Sequence, residues 1–100
     1  MWDAALPGVG PHPVVILTRD AAIPHLSGIV CAIVTSTIRG VPSEVPVGVE
    51  SGLDHDSVVN CDTIYTLRRE QLTRQRGELG PERTRRLDTA LSVAIGLEPR

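Results

Sequence analysis

At 100 residues, with 41% apolar side chains and a formal net charge of −2, the chain has room for one small domain, residues 1–100, and none for a second. The charge excludes a protein whose whole surface is a cationic bed for nucleic acid, although a sum conceals local patches. There is no Phe, and Trp2 and Tyr65 are the only aromatics, so the core must be built from Val, Ile, Leu and Ala.

In chain order, Trp2–Leu6 is a candidate first strand. Pro13–Thr18, PVVILT, is a short run of mostly β-branched apolar residues between a Pro-rich stretch and Arg19-Asp20, as expected of a well-buried strand. AAIPHLS connects it to a second such run, Gly28–Thr35. That run ends in three hydroxyls, Thr35-Ser36-Thr37, followed by Ile38-Arg39-Gly40 where the chain must turn. Hydroxyls there can serve the turn by bonding nearby backbone groups, or line a polar site at the rim of a sheet.

Glu44–Val49 alternates with period two, and Pro46 puts it at a sheet edge or bulge. SGLDHDS, Ser51–Ser57, reads as a polar turn. Ser57–Cys61 and Ile64–Leu67 read as two further short strands, and Arg69–Leu72 as a brief helical turn. Gly80-Pro81-Glu82 is a helix start, with Pro at the first helical position and acid in the first turn. Leu87, Leu91, Ala94 and Ile95 then recur at helical spacing, and Gly96 is the stop. Glu98–Arg100 reads as a disordered end. Short strands followed by one helix predict a mostly β protein, a small barrel-like sheet packed on a C-terminal helix.

All ten basic residues are Arg, and seven of them fall between Arg68 and Arg86 among Glu70, Glu78, Glu82 and Asp88. Mixed signs fit a solvated face, and the guanidinium fork also suits phosphate. Cys31 and Cys61 lie in or at the end of apolar runs with no metal-ligand spacing, so both are expected as buried reduced thiols and no metal site is indicated. No segment is long enough to span a bilayer, and MWDAALPG lacks the features of a signal peptide, which together predict a cytoplasmic protein without membrane contact.

Four stretches in this order, HPVVILTRD, AIVTSTIRGVPSEVPV, SGLDHDSVVNCDTIYTL and RGELGPERTRRLDTALSVAIGL, resemble the MazF/PemK toxins of type II toxin–antitoxin modules over nearly the whole chain. The resemblance implies an SH3-like plasmid-maintenance-toxin barrel with a C-terminal helix. It further implies a homodimeric, metal-independent endoribonuclease without cofactor, which cleaves single-stranded RNA and is inhibited by a separate antitoxin. Aligned on G-x-P-x-E-V, the family's catalytic hydroxyl falls on Thr35, with Ser36 and Thr37 beside it as RNA contacts. A hydroxyl donor suits that place because attack by the neighbouring 2'-OH builds charge on the non-bridging phosphate oxygens.

The family's second catalytic residue, an Arg directly before the Pro of the second strand, is His12 in this chain. Histidine, with an ordinary pKa of about 6.5, can take the 2'-OH proton or donate one to the 5'-oxygen, whereas Arg hardly ever gives one up. The products implied are a 2',3'-cyclic phosphate and a 5'-OH end. Of the other histidines, His55 in LDHDS reads as a turn residue.

Arg39, Arg19, Arg68 and Arg69 are the candidates for the flanking phosphates, Arg39 first because it follows Thr35. The loop between the first two strands shrinks to Leu6–Pro11, which lessens coverage of the RNA. Asp62-Thr63-Ile64-Tyr65-Thr66 lacks the Gln and the basic residue of the family pattern. Tyr65 can stack on a base there or pack against the barrel wall. The RNA class among mRNA, rRNA and tRNA stays open. The rival reading is a non-catalytic barrel that sequesters antitoxin or inhibits gyrase by protein contact.

Overall fold

The computed structural model describes residues 1–97; the expected disorder of Glu98–Arg100 lies outside the described residues. The strands are β1 (Trp2–Leu6), β2 (Gly10–Ile16), β3 (Ile29–Thr35), β4 (Glu44–Val47), β5 (Ser57–Leu67) and β6 (Leu72–Gln75), followed by helix α1 (Pro81–Ala94). Among the described residues they form one antiparallel sheet in the order β4-β5-β3-β2-β1-β6. The class is as expected, but the sheet does not close into a barrel. β4 and β6 remain its two edges.

The central strands explain the sequence pattern. β3 lies between β2 and β5, and apolar residues cover both of its faces, so it reads as a continuous apolar run rather than an alternating one. Val15, Ala32, Val34, Val45, Val47, Val59 and Cys61 pack with Leu87 and Ala90 of α1 on one face. Ala4, Leu6, Val14, Ile29, Cys31 and Leu67 pack together on the other, with Trp2, Ile33 and Tyr65 at its margin. Each fully buried Val or Ile is worth about 1.5–3 kcal/mol, so a core of small aliphatics suffices for a thin sheet without Phe.

Ser57–Cys61 and Ile64–Leu67 prove to be one strand. The register on β3 jumps from Ala32↔Ile64 to Ile33↔Asn60, leaving Cys61, Asp62 and Thr63 of β5 as a bulge. Polar side chains occupy the interruption because the bulged backbone needs partners: Asn60 Oδ1 accepts from Asp62 N at 2.9 Å, and Cys61 N donates to the Ser43 carbonyl at 3.0 Å. Asp62-Thr63, which reads as a gap between strands, is therefore part of a bend within one. β6 is a second correction. Its burial pattern is exposed apart from Leu72, so it carries no hydrophobic signature, and it exists because β1 offers a ladder.

β2 starts at Gly10, three residues before the expected boundary, because Pro7-Gly8-Val9 makes a tight hairpin turn. Gly8 and Gly10 adopt φ of 74° and 85°, the left-handed region that favours glycine. His12 thereby belongs to a strand and not to a loop. Arg69–Gln71 forms the expected helical turn, as a 3-10 helix. α1 begins at Pro81 and ends as the sequence implied, with Gly96 at φ 77° and its N–H on the Val93 carbonyl at 3.2 Å. Ile95 is exposed rather than core, and Ala90 takes its expected place. No helix among the described residues is long and apolar enough to cross a membrane.

Candidate active site

The β2–β3 ladder pairs Val14 with Ile33, Val15 with Ala32 and Ile16 with Cys31. The same register continued toward the start of β2 sets His12 against Thr35. The ladder stops short of that pair, and the His12 side chain crosses to β3 instead, its Nε2 2.6 Å from the Val34 carbonyl oxygen. A carbonyl only accepts, so Nε2 carries the hydrogen, and in the neutral ring the Nδ1 lone pair is left free.

Thr35 ends β3. Its Oγ1 accepts from Thr37 N at 3.1 Å, so the hydroxyl does serve the turn. That bond uses an oxygen lone pair and leaves the O–H free to donate. The turn and site readings of the hydroxyls are therefore compatible at Thr35. Beyond it, Glu44 ties the loop back to β4: Arg39 N and Gly40 N donate to Glu44 Oε1 at 3.1 and 2.9 Å. The interval from Arg39 to Glu44 in IRGVPSE is the span of that clasp.

An arginine that sequence reasoning passed over completes the site. Arg76 follows β6, its Nε 2.6 Å from Asp3 Oδ1 and its Nη1 3.2 Å from the Gly52 carbonyl. The Asp3 side chain is 14% exposed and that of Arg76 27%, so the ion pair is shielded from solvent and fixes the guanidinium plane. These bonds engage Nε and Nη1 and leave Nη2 available. No local signal could have found it, because Asp3 and Arg76 lie 73 residues apart in the chain and meet only through β1–β6 pairing.

His12, Thr35, Ser36, His55, Ser57 and Arg76 line one cleft of about 240 Å³, together with Pro13, Val34, Leu53 and Asp54. Of the residues predicted from sequence, it unites His12, Thr35 and Ser36. Thr37 and Arg39 lie on the exposed loop that follows and do not line it. Arg19 lines a separate apolar hollow with Leu17, Leu26, Val30, Ile64, Leu91 and Ile95. Tyr65 stands opposite Cys31 in the sheet and packs half-buried on the face away from α1. Arg68 is exposed and pairs with Glu70 at 3.5 Å. Arg69 donates to the Ile23 and Leu26 carbonyls, which fastens the loop before β3. Cys31 and Cys61 are buried free thiols, both pushed up to about 11 by burial, so neither offers a nucleophile at neutral pH.

Fold and cleft together define a small sheet-and-helix protein with an imidazole, a hydroxyl donor and a guanidinium converging on one polar hollow. The chain belongs to the family of PemK-like, MazF-like toxins of type II toxin–antitoxin systems, whose pattern it matches over residues 5–95. It is 42% identical over 85 residues to endoribonuclease MazF3 of Mycobacterium tuberculosis, covering 85% of this chain and 79% of the relative. Its fold superposes on the Mycobacterium tuberculosis toxin MazF-mt6 with a TM-score of 0.90 at 38% identity, covering 98% of this chain and 97% of that one. A mycobacterial endoribonuclease solved in complex with its cognate antitoxin gives a TM-score of 0.86 at 29% identity, covering 99% and 94%.

Proposed function

We propose that this toxin is an endoribonuclease that cleaves single-stranded RNA without a metal ion, leaving a 2',3'-cyclic phosphate and a 5'-OH. The observation that carries this reading is the convergence of His12, Thr35 and Arg76 on one cleft. His12 Nδ1 takes the proton of the 2'-OH, and the oxygen so freed attacks the adjacent phosphorus. The Thr35 O–H and the Nη2 edge of Arg76 meet the charge that grows on the non-bridging oxygens. The Arg of the family position is thus divided here between His12, which moves a proton, and Arg76, which supplies the positive charge.

The strand enters unpaired, because in-line attack needs a backbone free of A-form geometry. Ser36, Thr37 and Arg39 follow Thr35 directly and receive the neighbouring nucleotide, and Arg39 makes binding salt-sensitive. The chain acts as one domain in the cytoplasm and is restrained by a separate antitoxin. It works as a homodimer, burying the apolar hollow around Leu26, Ile64 and Ile95, whose side chains are exposed in the single chain. Ile64→Asp then yields a monomer in sedimentation.

The test is cleavage of mixed single-stranded RNA in EDTA by wild type, Thr35→Ala and His12→Ala, with product ends identified. Cyclic-phosphate ends from wild type and a loss of about 100- to 1000-fold for Thr35→Ala are expected. A folded wild type that cuts nothing overturns the reading in favour of a protein that only sequesters antitoxin or acts by protein contact.

A further inference from the structure

The cleft holds a second histidine. His55 lies on the exposed loop before β5, and among the described residues its ring nitrogens have no partner, while its carbonyl accepts from Ser57 Oγ at 3.4 Å. The loop is pinned on both sides of it: Leu53 is buried in the core cluster, and Ser57 starts β5 against Val47. Gly52, just before, is held by Arg76. His55 is therefore presented to the cleft by a short, doubly anchored segment.

The chemistry requires a second proton-transfer group. In an in-line displacement the attacking 2'-oxygen and the leaving 5'-oxygen lie on opposite sides of phosphorus, and one must lose a proton while the other gains one. His12, fixed by its bond to Val34, serves one side. Arg76 does not release a proton and the Thr35 hydroxyl is a poor acid, so both stabilise charge without moving it. Asp54, as a carboxylate, only accepts. His55 is the remaining cleft side chain whose chemistry lets it hand over a proton.

We propose that His55 is the general acid of this site, working with His12 as general base; the assignment rests on the nuclease reading above. His12 Nδ1 gains the 2'-OH proton as the O2'–P bond forms, and the P–O5' bond breaks as the His55 imidazolium gives its proton to O5'. The products are the 2',3'-cyclic phosphate and the 5'-alcohol. His12 ends protonated and His55 neutral, and exchange with water restores both.

The test compares an ordinary RNA with the same RNA carrying sulfur in place of the 5'-bridging oxygen, since a thiolate leaves without protonation. His55→Gln is expected to slow the oxygen substrate by about 100- to 10,000-fold and to cut the sulfur substrate at the wild-type rate, whereas His12→Gln slows both. A His55→Gln protein that is equally slow, or equally fast, on both substrates overturns the proposal. A second measurement needs no variant: with wild type, the rate on the oxygen substrate falls at alkaline pH and the rate on the sulfur substrate does not. Identical alkaline limbs overturn it. The titratable and charged groups facing the cleft are His12 from β2, Asp54 and His55 from the loop, and Arg76 after β6, with Asp3 of β1 behind it. If wild type cuts neither RNA, the nuclease reading itself has failed, and His55 loses its role with it.

Discussion

His12 Nε2 donates to the carbonyl of Val34 at 2.6 Å, and Val34 is the residue directly before Thr35. One hydrogen bond thus fixes the imidazole relative to the hydroxyl, and both sit on strands of the central sheet rather than on loops. Groups mounted this way keep their geometry without reorganising when charge develops.

His12→Gln separates that anchoring from proton transfer, because an amide still donates to Val34 but does not titrate. Thermal stability is expected to stay near wild type while kcat falls by about 100- to 10,000-fold with KM little changed. Melting curves and steady-state cleavage of a short RNA check it. Near-normal turnover would show His12 to be a structural tether.

Arg76→Ala removes the partner of Asp3 and leaves a carboxylate that is largely shielded. The expected loss is about 1.5–3 kcal/mol in urea denaturation, the range for a hydrogen bond to a charged group. Arg76→Lys keeps the charge but not the fork, so stability recovers in part while cleavage stays impaired. Equal recovery of both by Lys contradicts the use of a directed Nη2 donor.

Gly52 adopts φ 89°, and a Cβ added to it would stand 2.8 Å from the Arg76 carbonyl oxygen. Gly52→Ala therefore combines backbone strain with a backbone clash and is expected to cost about 1–3 kcal/mol. Because the same residue bonds the Arg76 side chain, activity should fall further than stability accounts for. Denaturant midpoints and single-turnover rates on the same samples decide it.

Burial raises both thiols from an ordinary value of 9.0 to about 11. The folded state therefore holds these protons where the unfolded chain has lost them. The stability contributed is fully present below pH 9 and declines as the pH rises from about 9 to 11, by on the order of 3 kcal/mol per thiol. Chemical unfolding of wild type and Cys61→Ala across that interval measures it, with a shallower decline expected for the variant. At pH 8 a thiol reagent should label neither cysteine until the protein is unfolded; rapid native labelling would contradict the burial.

Much of this molecule was legible in local sequence because local physics decides it. The apolar runs of β2 and β3, the Pro81 start and Gly96 stop of α1, and the hydroxyls closing β3 depend on neighbours a few residues away. The motif order likewise carried the family, and it pointed to Thr35 and His12, which the sheet brings to one cleft. What only the tertiary structure decided arises from pairing between distant segments. β6 has no hydrophobic pattern and exists because β1 offers it a ladder, and Asp62-Thr63 reads as a break between two strands until the pairing with β3 shows it to lie in a bulge within one. Arg76 reaches the cleft only when β1 and β6 bring Asp3 beside it, and His55 shares that cleft with His12 because its loop is pinned at Leu53 and Ser57. Chain spacing encodes which residues share a strand or a helix; which side chains share a cleft depends on sheet order and register, and these are set by the packing of the whole chain.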